Sequence, residues 1–141
     1  AVMREVELEL KADLPTLGEM EALLAKKPGG FEYERLLRKR RVRMSFTEAS
    51  TSVEKIWIWQ LGDALLCGVP FEGYAALQLQ LRAAFPTKTI IVMNIANGIL
   101  GYLPPAPLYE HDLYTVWQTP FARGSLERVI AAAGDGLRSL F

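Results

Sequence analysis

Two short stretches carry the side chains that could do chemistry. "GVPFEGY", Gly68 to Tyr74, presents the carboxylate of Glu72. "NGILGYLPPAPLYEHDLY", Asn97 to Tyr114, presents Tyr102, Tyr109 and Tyr114 together with His111, the only histidine of the chain, between Glu110 and Asp112. An ionised carboxylate beside a phenol invites a hard or borderline cation, and oxygen ligands of this kind suit zinc when imidazoles complete the set. Gly98, Gly101, Pro104, Pro105 and Pro107 forbid a regular helix or strand across the second stretch. Stiffening of that sort would hold the phenols on a fixed point, as a metal site or an oxyanion donor requires. The plainer reading makes Glu72 an exposed acid at a helix start and Tyr102 a half-buried aromatic.

Whether acid and phenol meet depends on the elements that carry them. "VEKIWIWQL" is rich in β-branched and aromatic residues, Gly62-Asp63 provides a turn, and "ALLCGV" is a continuous apolar run, so the pair reads as a hairpin. "EGYAALQLQLRAAF" is helical, with Tyr74, Leu77, Leu81 and Phe85 along one face, and Pro86 ends it. "TKTIIVMNIA" is a buried strand. Strand, helix and strand in that order form a βαβ unit with two parallel strands. Ligands of open α/β sheets bind outside the carboxyl ends of the strands, and both chemical stretches leave the sheet there. Glu72 and Tyr102 thus share a rim although thirty positions separate them.

The flanks complete an α/β fold, a mixed sheet containing the hairpin and the βαβ unit with helices packed on it. "REVELEL" alternates Val6, Leu8 and Leu10 against Glu5, Glu7 and Glu9, a strand with one wet face. Pro15 is placed at the start of a helix carrying Leu17, Met20, Leu23 and Leu24, and "KKPGG" stops it. "FEYERLLRKRRVRM" predicts a second helix on Phe31, Leu36, Leu37, Val42 and Met44, with "SFTEASTS" as a polar linker behind it. "SLERVIAAAGDGLRSLF" predicts a last helix, N-capped by Ser125 and weakened by Gly134 and Gly136.

With 141 residues, half of them hydrophobic, residues 1–141 have the size of one domain with a real core. Formal charge is zero, so no global field draws nucleic acid or an acidic membrane. No apolar run reaches the ~20 residues of a spanning helix, and the N-terminus alternates charge and apolar residues instead of reading as a signal peptide. The single cysteine, Cys67, excludes an internal disulfide and reads as a small core residue. The compartment stays open.

"VEKIWIWQLGDALLCGVPFEGYAALQLQLR" followed by "IIVMNIANGILGYLPPAPLYEHDLY" resembles the C-terminal part of the catalytic domain of the neutral/alkaline, non-lysosomal ceramidases. The resemblance spans about Val53 to Arg123. It implies that Glu72, matching the glutamate of the family's "PGE" turn, and Tyr102, matching the tyrosine of its "AN-x-x-x-GY" loop, are zinc ligands. Tyr114 would be the catalytic tyrosine near the scissile carbonyl. The implied activity is zinc-assisted hydrolysis of the N-acyl amide of ceramide-like lipids. Phe71 replaces the family's glycine before the glutamate, and Gly73 and Tyr74 replace its threonines, changes expected to reshape the pocket. The family's two zinc-binding histidines come from an earlier segment that is missing here, and His111 is in the wrong place to be either. The expectation is therefore the later portion of a larger ceramidase-like protein, or a divergent relative that has lost its chemistry. The isolated chain would fold without metal and be inactive.

A rival reading comes from "RLLRKRRVR", with Arg35, Arg38, Lys39, Arg40, Arg41 and Arg43 within nine positions. Such a run can attract an anionic surface or nucleic acid. Its charges go round the helix with Glu32, Glu34 and Glu48 nearby, so a solvated face or a contact with the missing segment is the expectation and nucleic acid is not. In this reading the chain is a non-catalytic binding or assembly module. Trp57 and Trp59 share one strand face and cover either a core, which is the default expectation, or an interface; self-association into a homo-oligomer is left open. His111 reads as a surface histidine, and Tyr109 as packing on the proline-rich turn.

Overall fold

The computed structural model describes residues 1–46 and 49–141. Glu48, counted above with the acids near the basic run, lies outside the described residues, as does Thr47 of the predicted linker.

Alternation makes β1 (Val2–Glu9) an amphipathic strand: Val6 and Leu8 are buried while Glu5, Glu7 and Glu9 face solvent. It pairs antiparallel with β2 (Thr51–Leu61), which turns at Gly62 into β3 (Ala64–Gly68). Helix α3 (Ala75–Ala84) carries the chain across to β5 (Thr89–Met93), parallel to β3, closing a sheet of order β1-β2-β3-β5. The predicted hairpin and βαβ unit are both present, and the fold is α/β. A two-residue ladder, β4 (Glu72–Gly73) with β6 (Tyr102–Leu103), runs parallel outside this sheet.

Helices α3 and α5 (Ser125–Arg138) cover one sheet face, where Ile56, Ile58, Leu65, Cys67 and Ile90 meet Leu77, Leu81, Val129, Ala133 and Leu137. Trp57 and Trp59 lie on the opposite face, half-buried and stacked at 6.4 Å, so they are no part of this core. Cys67 is a core residue; burial pushes its thiol up to about 12. Among the described residues no helix is long and apolar enough to cross a membrane.

Three expectations at helix ends and faces need correction. Helix α1 (Leu17–Ala25) begins after Thr16, whose side chain accepts from the Glu19 amide while Glu19 reaches back to the Thr16 N–H. Pro15 therefore precedes a capping box and is not the first helical residue. At α5 the cap is Gly124, at φ +92, and Ser125 turns its hydroxyl back to the Ala122 carbonyl. A left-handed residue is required there, and glycine adopts it without strain. In α2 (Gly30–Arg43) the predicted core position Phe31 is 67% exposed and Met44 just past it is exposed, whereas Arg43 is buried. That helix docks through the stems and guanidinium planes of basic side chains, as long cationic residues can when an aromatic face is offered.

Gly136 also has a different role from the one expected. A Cβ there would stand 2.3 Å from Ile58 Cδ1 and 3.1 Å from Arg4 Cγ. The glycine lets α5 approach the sheet closely.

Candidate functional site

The chain leaves β3 through Val69, Pro70 and Phe71, and the loop after β5 is laced to it. The amides of Ile95, Ala96 and Leu100 donate to the carbonyls of Phe71, Val69 and Pro70, and Glu72 N–H donates to Gly101. Asn94 binds both backbone groups of Gly73 through its side-chain amide. Ile95 and Asn97 are held at φ +58 and +59, and for the β-branched Ile95 this is a strained conformation. Phe71 points away from the rim into the core, edge-on to Phe121 at 5.2 Å. It therefore anchors the turn and is not among the residues that line the cavity.

This lacing makes Glu72 and Tyr102 direct partners across the β4–β6 ladder. Paired residues of neighbouring parallel strands project from the same side. Both line a cavity of about 310 Å³ whose other walls are Arg38, Arg41, Val42, Ser45, Ile99, Gly101, Tyr114 and Gln118. Burial pushes the Tyr102 phenol above its ordinary range; the neighbouring Glu72 and Tyr114 add to this and Arg38 opposes it.

Tyr114 stands edge-on to Tyr102, ring centroids 5.9 Å apart at 74°. It opens the short helix α4 (Tyr114–Gln118), which, with a 3-10 turn at Ala106–Glu110, corrects the expectation of wholly irregular chain. Pro107 fits because it falls in the first turn of the 3-10 segment, where its missing N–H has no partner to lose. Four consecutive α4 residues are each held by a different group. Arg38 donates to the Tyr114 hydroxyl at 3.2 Å. Tyr74 and Thr115 share a hydroxyl contact, and Lys11 donates to the Val116 carbonyl. Arg35 and Lys39 lie over the Trp117 ring at 3.6 and 4.0 Å from its centroid. Residue 114 is thereby fixed from several sides.

The Arg38–Tyr114 contact has a direction. Arginine can only donate, so the phenol oxygen is the acceptor and the Tyr114 proton remains free for another group. A hydroxyl that accepts from a cation is also a stronger donor.

Two of the three predicted site residues share a ladder and the third packs on them; His111 joins none of them. It closes the 3-10 turn in solvent, while its neighbour Glu110 pairs with Arg123. Tyr109 does more than pack: its hydroxyl donates to the carbonyls of Phe121 and Ala122 at 3.0 and 3.3 Å, and burial pushes it up to about 12. The cavity side chains that sequence reasoning did not assign are Arg38, Arg41, Val42, Ser45, Ile99 and Gln118. Four of them stand at i, i+3, i+4 and i+7 of one helical stripe, a pattern present in the basic run but masked by the charges on its other faces.

The donor types suit zinc, but the number is short. Glu72 and Tyr102 offer two oxygens, and among the described residues no three His, Cys, Asp or Glu side chains come together to hold a metal. Comparison with known proteins gives no match to a family model, to a curated protein or to a solved structure.

Proposed function

We propose that the chain forms one wall of an amidohydrolase site acting on N-acyl lipids of the ceramide type. Glu72 and Tyr102 would give oxygen donors to a zinc ion whose imidazole ligands come from a segment outside this chain. Zinc bound there would polarise the amide carbonyl and acidify a water. The observation that carries the reading is the Glu72–Tyr102 pairing across β4–β6 with Tyr114 edge-on to it.

The chain's own residues have definable parts in this chemistry. Tyr114 presents an unspent proton to a substrate carbonyl and holds it as negative charge grows on that oxygen. Arg38, bonded to the phenol oxygen, positions Tyr114 and strengthens its donation. Val42 and Ile99 offer apolar surface to the acyl chain next to the amide.

The binding-module reading has less to stand on. Arg35 and Lys39 are engaged with Trp117, Arg40 pairs with Glu21, and Arg43 is buried. Four of the six basic side chains are thus engaged within the chain itself.

Zinc titration against a competing chelator tests the amidase reading. One weak equivalent should bind, be lost in both Glu72→Gln and Tyr102→Phe, and strengthen in Arg41→Gln, where a nearby positive charge is removed. Zinc binding indifferent to Glu72 and Tyr102 would defeat the reading. The isolated chain should not hydrolyse N-acyl sphingosine with or without zinc; turnover abolished by Glu72→Gln would show that its ligand set is complete.

A further inference from the structure

The same cavity carries a charge pattern that a cation site does not require. Its lining has two guanidinium groups, Arg38 and Arg41, against the single carboxylate of Glu72. Four other arginines find acids, Arg40 with Glu21, Arg123 with Glu110, Arg128 with Glu9 and Arg138 with Asp135, while the exposed Arg82 donates to the Ile90 carbonyl. Among the described residues neither Arg38 nor Arg41 has an ion pair.

Hydroxyl and amide groups add to the cationic wall. The Tyr114 proton is unspent, and Tyr102 and Ser45 bring two further hydroxyls to the lining. Gln118 is 6% exposed, and among the described residues its buried side-chain oxygen has no hydrogen-bond partner. The oxygen and nitrogen of an amide exchange by a half-turn, so this position can present an N–H donor as readily as an acceptor. An unpaired buried amide destabilises the free chain, and a bound ligand that pairs with it would recover that loss. Beside these polar groups lie Val42 and Ile99, the latter 69% exposed.

We propose that this cavity is a binding site for a monoanionic carboxylate on an apolar chain, with Arg38 and Arg41 gripping the head and Val42 and Ile99 covering the first carbons. One negative charge neutralises the excess of two cations over one anion; a dianion would overshoot it. Guanidinium groups suit carboxylates because their N–H donors match both oxygens. A volume of about 310 Å³ lies at the small end of the range for small-molecule sites. The proposal does not rest on the amidase reading, since it needs neither a metal nor a bond broken.

Calorimetric titration of the chain with octanoate, in EDTA and at low salt, tests it. Octanoate should saturate at one equivalent. Octanamide, the uncharged isostere, should bind about ten- to a hundredfold more weakly, as should octanoate to Arg38→Gln and Arg41→Gln, the loss expected for one charge-assisted hydrogen bond. Both arginines are exposed, so the variants should keep the native circular dichroism, and Arg123→Gln, on a paired surface arginine, should bind like the parent. Arg38→Lys should recover only part of the affinity. Equal binding of octanamide, unchanged binding in both glutamine variants, or arginine-dependent binding of inorganic phosphate with none of octanoate would each overturn the proposal. EDTA keeps zinc out, so the zinc titration and this one fail independently.

Discussion

Glu72 and Tyr102, thirty residues apart in the chain, are direct partners across a two-residue parallel ladder that stands outside the main sheet. The pairing places a carboxylate next to a phenol whose proton is already held more tightly than usual by burial. Electrostatics then fixes the sign of two substitutions. Glu72→Gln removes a negative charge that disfavours phenolate, so the Tyr102 titration midpoint should fall. Arg38→Gln removes a positive charge that favours phenolate, so the midpoint should rise. Ring-carbon NMR of tyrosine-labelled protein follows both, with Tyr102→Phe assigning the signal among five tyrosines. A midpoint unmoved by Glu72→Gln would mean that the two side chains do not sense each other, and the shared rim would lose its chemical meaning.

Gly136 divides a helix-propensity argument from a packing argument. Propensity alone predicts that Gly136→Ala stabilises α5 by about 1 kcal/mol. Packing predicts the reverse, because the new methyl would overlap the terminal carbon of Ile58, a side chain with no exposed surface. The expected net effect is destabilisation by roughly 1–3 kcal/mol, the usual penalty for overfilling a core. Urea unfolding measures it. Ile58→Val in the same background removes the crowded carbon and should restore part of the loss; a more stable Gly136→Ala would show that α5 can move off the sheet freely.

What could be read from residues alone follows from the range of the interactions involved. The strand β1, the hairpin at Gly62-Asp63 and the βαβ unit are legible because period-two alternation, turn residues and apolar runs are local signals. The rim shared by Glu72 and Tyr102 was reachable through topology, one step further. Thr16-x-x-Glu19 was a local signal too, but the proline beside it drew the helix start two residues early, at Pro15 instead of Leu17. Gly136 looked like a weak helix residue because its neighbour Ile58 lies 78 positions away. The cavity stripe Arg38, Arg41, Val42 and Ser45 escaped for the same reason: nothing near it in sequence says which face of a basic helix meets Tyr114, 76 residues on from Arg38. Arg35 and Lys39 are likewise intelligible only once Trp117 is placed beneath them.

Alkaline pH should weaken the fold through two buried acids. Cys67 and Tyr109 are both pushed up to about 12, in each case chiefly by burial, from ordinary values near 9 and 10. The folded chain therefore keeps two protons that the unfolded chain gives up first. Their contribution to stability is complete below pH ~9 and is lost as pH climbs toward 12, because in that window the unfolded state binds fewer protons. Lys11 and Lys39, whose ammonium groups burial lowers, act in the opposite direction, so the informative quantity is a difference between variants. Cys67→Ala and Tyr109→Phe remove one titrating group each. The parent should lose urea resistance between pH 8.5 and 11 more steeply than either variant, with the double variant flattest. Tyr109→Phe should also be less stable at neutral pH, since the carbonyls of Phe121 and Ala122 lose their shared donor. Parallel pH profiles for parent and double variant would mean that these two groups titrate alike in the folded and unfolded chain, contradicting their burial.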